Sequence, residues 1–212
     1  MRIRSLLVLG LSLALPNLTH AATWELDPSH SSVEFSIRHM MVSSVKGQFE
    51  KVKGSVEIDD KDLSKSSVDI TIDMASINTR DAKRDGHLRS PDFFDTAKFP
   101  TATFKSTKVE KAGKGKLKVT GDLTMHGVTK PVVLQVEGPT ASQKTPFGTT
   151  LRGFSAKSKI DRKEWGVDWN KPLETVGGLL VGNDVTLEIN GELVEKVAPA
   201  AAAKPEPPKP AK

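Results

Sequence analysis

The chain has 212 residues, with 31 basic and 26 acidic side chains, 37% hydrophobic residues and no cysteine. Without cysteine there is no thiol nucleophile, thiolate metal site or redox switch, and the fold must be stable through its core alone. The charge of +5 comes largely from the two ends: Arg2 and Arg4 at one, and Lys204, Lys209 and Lys212 against Glu206 at the other, leave 26 basic and 25 acidic residues. The near-neutral body gives no support to a nucleic-acid partner.

Arg2 and Arg4 precede an apolar run from Leu6 to Leu15, and Thr19-His20-Ala21 puts a small residue before Ala22. That is the pattern of a secretory signal peptide over residues 1–21, so the mature chain is expected to be exported. The run is about half the roughly 20 residues a spanning helix needs, and no comparable run follows, so no stable membrane anchor is expected. At the far end, residues 198–212 are almost all Ala, Pro and Lys. They cannot bury enough apolar surface to order themselves and read as a disordered tail.

Residues 22–197 suffice for one domain with one substantial core. Period-2 alternation runs through them. Val33, Phe35, Ile37 and His39 share one face, and Val68, Ile70, Ile72 and Met74 share another. Further runs follow at Leu117, Val119, Gly121 and Leu123, at Val132, Leu134 and Val136, and at Val185, Leu187, Ile189, Gly191 and Leu193. The alternate positions carry polar residues such as Glu34, Asp69, Thr71 and Glu188. Many short strands with one wet face predict an all-β antiparallel fold, and closing into a barrel of about eight strands buries the dry face and removes edges.

The alternation is interrupted from Asn78 to Asp95, where charge is dense and the segment ends near paired phenylalanines, Phe93 and Phe94. Short helices are predicted here, the first capped by Asn78 or Thr79 and a second starting at Ser90-Pro91. Charged groups beside large apolar rings suit the binding of an amphiphile at a barrel end. The tail-binding candidates are Phe35, Ile37, Ile70, Ile72, Phe93, Phe94, Phe104, Leu123 and Leu187, and the polar-head candidates are His39, Arg80, His87 and Arg89. Thr124 to Val132 reads as a hairpin turning at Gly127. The histidines lack paired ligand spacing, so no metal is expected. Asp85, His87 and Ser90 supply the residue types of a triad, but within six residues and without a nucleophile elbow. A hydrolase or isomerase near His87 is therefore the lesser reading, and a stress-response scaffold with a self-filled interior is a third.

Taken in order, several landmarks carry a resemblance. They are Trp24-Glu25-Leu26-Asp27-Pro28-Ser29-His30-Ser31, Phe35-Ser36-Ile37-Arg38-His39, Val45-Lys46-Gly47-Gln48-Phe49, Ser76-Ile77-Asn78-Thr79, Arg84-Asp85-Gly86-His87-Leu88-Arg89-Ser90 and Asp92-Phe93-Phe94-Asp95. Gly121-Asp122-Leu123-Thr124, His126-Gly127-Val128-Thr129-Lys130-Pro131-Val132, Ile160-Asp161-Arg162 and Val181-Gly182-Asn183-Asp184-Val185 complete the set. The chain resembles the YceI-like family of bacterial polyisoprenoid-binding proteins. The resemblance implies a lipocalin-like barrel in the periplasm, holding an isoprenoid or quinone-like lipid without chemistry on it and without a further cofactor; a homodimer is possible on this scaffold. Gly86 departs from the family pattern, which usually has Asp or His after the Arg-Asp pair.

Overall fold

The computed structural model describes residues 21–173 and 177–196. The expected signal peptide, apart from Ala21, and the expected tail lie outside them. In chain order the strands are β1 (Ala22–Leu26), β2 (Ser32–His39), β3 (Ser43–Phe49), β4 (Val52–Ile58), β5 (Ser67–Asp73) and β6 (Ile77–Asn78). After helix α1 (Ala82–Arg89) come β7 (Thr101–Gly113), β8 (Lys116–Met125), β9 (Val128–Glu137), β10 (Gln143–Lys144), β11 (Thr150–Asp161) and β12 (Val181–Glu195).

These strands make eight staves of a closed antiparallel barrel, because three staves are broken. β1 and β2 form one, β3 and β4 the next and β5 and β6 the third, paired in succession as β1 with β4, β2 with β3, and β3 with β6. β5 pairs with β7, and β7, β8 and β9 follow as a meander. β11 joins β9, and β12 closes the ring by pairing with β11 from Asp161↔Asp184 to Leu151↔Val194 and with β2 and β1 along its other edge. Closure pairs most strand edges among the described residues, and the thinnest seam is β9 with β11, three pairs from Ser155↔Glu137 to Lys157↔Gln135. The expected all-β barrel of about eight strands is what forms.

The dry face fills the interior as the alternation requires. Val33, Ile77, Val109, Leu117, Val119, Leu123 and Leu193 are all buried. Inward glycines shape what is left between them. A Cβ on Gly121 would stand 2.4 Å from the Phe104 ring, one on Gly191 2.5 Å from Phe154, and one on Gly47 2.5 Å from Phe35. Each missing side chain lets a ring lie against the wall instead of crossing the lumen, so the aromatic residues line the barrel without plugging it.

The two ends differ. At one, Trp24 is 2% exposed and the Arg152 guanidinium lies 4.8 Å from its ring centroid, while two N–H bonds of 2.8 and 2.7 Å hold Arg152 to Asp60. A cation over the electron-rich face, fixed by a bidentate carboxylate, seals that end. At the other end lie the β2–β3 turn, α1 with the segment after it, the β8–β9 turn, and the connection from β11 to β12.

The predicted hairpin is the β8–β9 turn, with Met125 paired to Val128. Both turn residues, His126 and Gly127, have positive φ, at 51° and 75°. His126 was not expected there. Its Nδ1 lies 3.0 Å from the Trp165 carbonyl, and its ring packs edge-on to Phe99, so tertiary contacts hold a conformation that histidine alone disfavours.

The helical prediction needs two corrections. The cap of α1 is Asp81, whose carboxylate accepts the Lys83 and Arg84 N–H groups at 3.0 and 3.1 Å, and neither Asn78 nor Thr79. Asn78 is paired in β6 and Thr79 is committed to Asp85, so the first free short acceptor is Asp81. Ser90 ends α1 instead of starting a second helix: its N–H bonds the His87 carbonyl, and tight turns carry the chain to Asp95, at φ 43°. The Gly86 departure has no steric cause, since a Cβ there would meet open space.

Candidate functional site

Two cavities occupy the barrel. The lower, ≈ 170 Å³, is walled by the inward apolar side chains of most strands, among them Ile70, Ile72, Phe104 and Leu123. The upper, ≈ 260 Å³, lies at the α1 end and includes Phe35, Ile37, Phe93 and Phe94. Phe49, Met125, Ile160 and Leu187 border both, so the two spaces adjoin across a shared wall. All nine apolar candidates line one or both. A scaffold filled by its own side chains is not what this interior is.

The roof of the upper cavity is built by α1. Buried Asp85 accepts the Thr79 N–H at 2.8 Å and the Thr79 hydroxyl at 2.6 Å. Arg84 donates to the Thr79 hydroxyl oxygen and carbonyl, both at 2.8 Å. Arg89 donates to the carbonyls of Ala75 and Ile77, again at 2.8 Å. Charge-assisted bonds of this kind fix a short helix that propensity alone could not hold. The helix then turns Arg84, His87 and Leu88, which share a face at spacings of three and four, toward the cavity. His87 sits edge-on between Phe93 and Trp169, each ring centroid 5.0 Å away, with its Nε2 2.8 Å from Asp92.

Of the four polar-head candidates, His39 and His87 line the upper cavity and are brought together there. Arg80 and Arg89 line neither cavity. Arg80 precedes the helix at φ 65° with its side chain exposed, and Arg89 is committed to the two carbonyls beneath it.

Arg38, Arg84, Arg162 and Trp169 line the same space and are not among the site candidates named from sequence. Arg162 is 4% exposed. Its guanidinium donates to the carbonyls of Gly182 at 2.9 Å, Trp169 at 3.0 Å and Val167. Burial pushes its pKa down from the ordinary value, and the charges of Asp168 and Asp161 oppose that. The ionisable side chains lining the upper cavity are Arg38, His39, Arg84, His87 and Arg162: all basic, with no carboxylate among them. Acids stand outside the lining: Asp92 at His87, Asp81 4.0 Å from Arg84, and Asp168 and Asp161 acting on Arg162 through their charge. Among the described residues no carboxylate lies within 4.0 Å of the Arg38 or Arg162 nitrogens.

The triad types do not assemble. Asp85 is spent on Thr79, His87 faces Asp92, and the Ser90 hydroxyl donates to the His87 carbonyl at 2.8 Å. A different group does meet on the barrel wall: ligand atoms of Asp27, His30 and Glu192 lie within 4.8 Å of one another. His30 Nδ1 is 2.7 Å from Asp27, which raises the His30 pKa and lowers that of Asp27, and the second Asp27 oxygen accepts the Ser29 N–H. These three side chains line neither cavity and hold the β1–β2 kink against β12.

Comparison with known proteins matches residues 24–193 to the YceI-like domain. A UPF0312 protein of Vibrio cholerae is 38% identical over 168 residues, covering 77% of this chain and 88% of its own. One from Staphylococcus aureus is 40% identical over 166 residues, covering 78% and 94%. Among solved structures, the YCEI protein of Campylobacter jejuni superposes with a TM-score of 0.63 at 34% identity, covering 76% of this chain and 90% of that one. A polyisoprenoid-binding domain from Saccharophagus degradans has the same fold, with a TM-score of 0.58 at 18% identity, covering 84% and 100%. With the barrel, the roofed cavity and the ordered landmarks, these matches place the chain in the YceI-like family.

Proposed function

We propose that the protein is a non-catalytic carrier that holds a polyisoprenoid or similar long-chain lipid in the barrel, tail in the lower cavity and head at the roofed end. The observation that carries this reading is the pair of adjoining cavities, apolar below and, at the α1 end, with only basic groups among the ionisable side chains of an otherwise largely apolar wall. Each buried methylene contributes about 0.8 kcal/mol, so a long tail binds without covalent chemistry. A ten-residue strand spans roughly 33 Å, and at a barrel tilt of about 40° the axial depth is nearer 25 Å, so a longer tail folds back or protrudes. The head is anionic on this reading, because Arg38, Arg84 and Arg162 supply fixed positive charge in a partly dry site, where a phosphate or carboxylate gains most. The polyisoprenoid-binding domain of Saccharophagus degradans supports the choice of tail. The sequence of residues 1–21 supports export to the periplasm as the place of action.

The test is titration of delipidated protein with geranylgeraniol and with geranylgeranyl phosphate, read by the fluorescence of Trp169 and its neighbours. Saturable one-to-one binding is expected for both, with the phosphate tighter by about tenfold or more, the effect of roughly one charge-assisted hydrogen bond. Equal affinities would remove the anionic head, and no saturable binding of either would remove the carrier.

A further inference from the structure

Five large apolar side chains among the described residues are exposed, and four of them stand on one rim. Met40, Met41 and Val42, at 44%, 61% and 79% exposure, form the β2–β3 turn, and Leu179, at 37%, stands on the neighbouring connection. The fifth, Phe147, is alone in a turn at the opposite end. The two rim segments are tied together: the Met40 N–H donates to the Leu180 carbonyl at 2.8 Å, and the Met41 side chain lies against Gly178. Turn chemistry does not ask for these residues. Met40 and Met41 have φ of 49° and 63°, where Asn or Gly would be at ease, and the barrel core gains nothing from side chains that stay in water. A contiguous apolar patch of this kind marks a contact surface.

We infer that this rim docks on a bilayer surface that carries anionic lipids. Charge points to that occupant. The Arg38 guanidinium is held at the patch by bonds to the Met41 carbonyl at 2.7 Å and the Ser44 hydroxyl at 3.3 Å. Exposed Lys171 accepts the Leu180 N–H through its carbonyl, next to Leu179. Apolar tips beside a held guanidinium and an exposed lysine suit the boundary between acyl chains and anionic head groups. Continuity makes the same point: Arg38, His39, Leu180 and Val181 belong both to the rim and to the upper cavity wall. A tail passing between bilayer and barrel would run along Leu180 and Val181, with Arg38 and His39 beside it. The inference deepens the carrier reading, since it states where the cargo enters and leaves.

The experiment is flotation of the full mature chain with vesicles of phosphatidylglycerol and phosphatidylethanolamine in equal parts, and with phosphatidylcholine vesicles. The protein is expected to float with the anionic vesicles, less at raised salt, and poorly with phosphatidylcholine. A Met41→Ser, Val42→Ser double substitution is expected to cut flotation by about tenfold while leaving geranylgeranyl phosphate affinity unchanged, because neither residue lines a cavity. Failure of the unmodified chain to float, or equal flotation of the double variant, overturns the inference. So does a dimer that the two substitutions dissociate, which would make the occupant a second copy. Flotation by a chain that binds no geranylgeranyl phosphate leaves the docking surface standing and removes the carrier reading instead.

Discussion

Replacing Arg162 by methionine is expected to lower stability by about 3 to 5 kcal/mol, the usual effect of removing a buried charged group that donates from all three guanidinium nitrogens. The side chain is 4% exposed, and its removal strips donors from the carbonyls of Val167, Trp169 and Gly182 together. Those carbonyls belong to the connection that closes the mouth and to the start of β12, so the loss falls on the stave that completes the ring. Lysine is a poor substitute, since one ammonium cannot reproduce a planar fork that meets three acceptors in different directions. A urea titration reads the change as a lower midpoint at unchanged slope. An Arg162→Met chain within about 1 kcal/mol of the original would mean that Arg162 is not the keystone described, since removing a buried, hydrogen-bonded charge normally costs more.

Leu187→Trp is the second large effect, and it acts on binding. Leu187 borders both cavities, opposite Phe35 on β2 and Ser158 on β11. An indole there fills the boundary between the two spaces, at an overpacking cost of about 1 to 3 kcal/mol that a barrel of this size can bear. A tail kept out of the lower cavity loses several buried methylenes at about 0.8 kcal/mol each, so affinity for geranylgeranyl phosphate should fall by about a hundredfold or more. A short prenyl phosphate that stays in the upper cavity should lose far less, under about tenfold. If the folded variant keeps full affinity for the long ligand, the tail does not lie in the lower cavity.

The barrel was legible because its staves have one wet and one dry face. Phe35 and Ile37, Ile70 and Ile72, and Leu187 and Ile189 alternate with Ser36, Thr71 and Glu188, and period 2 carries that directly into an inside and an outside. The breaks were harder. β3 parts from β4 within residues 50–51, and no proline or glycine marks the place; only the pairing of Phe49 with Ile77 and of Val52 with Ile72 reveals the bend. At the mouth, residue types misled where helical phase was needed. Arg80 and Arg89 look like Arg84 in a string of charges, yet the three- and four-residue spacing puts Arg84, His87 and Leu88 on one face, and Arg80 stands before the cap. That phase was available once Asp81 was taken as the cap. Arg162 and Trp169 had no such signal. Their place in the site exists only because β12 closes on β11 and carries Gly182 to the guanidinium, a contact twenty positions away in the chain.

Whether a lipid is held inside the barrel is decided by native mass spectrometry with lipid identification, on protein purified from its own cells without detergent. One stoichiometric adduct per chain is expected, a long-chain prenyl lipid with an acidic head. A chain that arrives empty and takes up no prenyl alcohol or phosphate when incubated with them would contradict it.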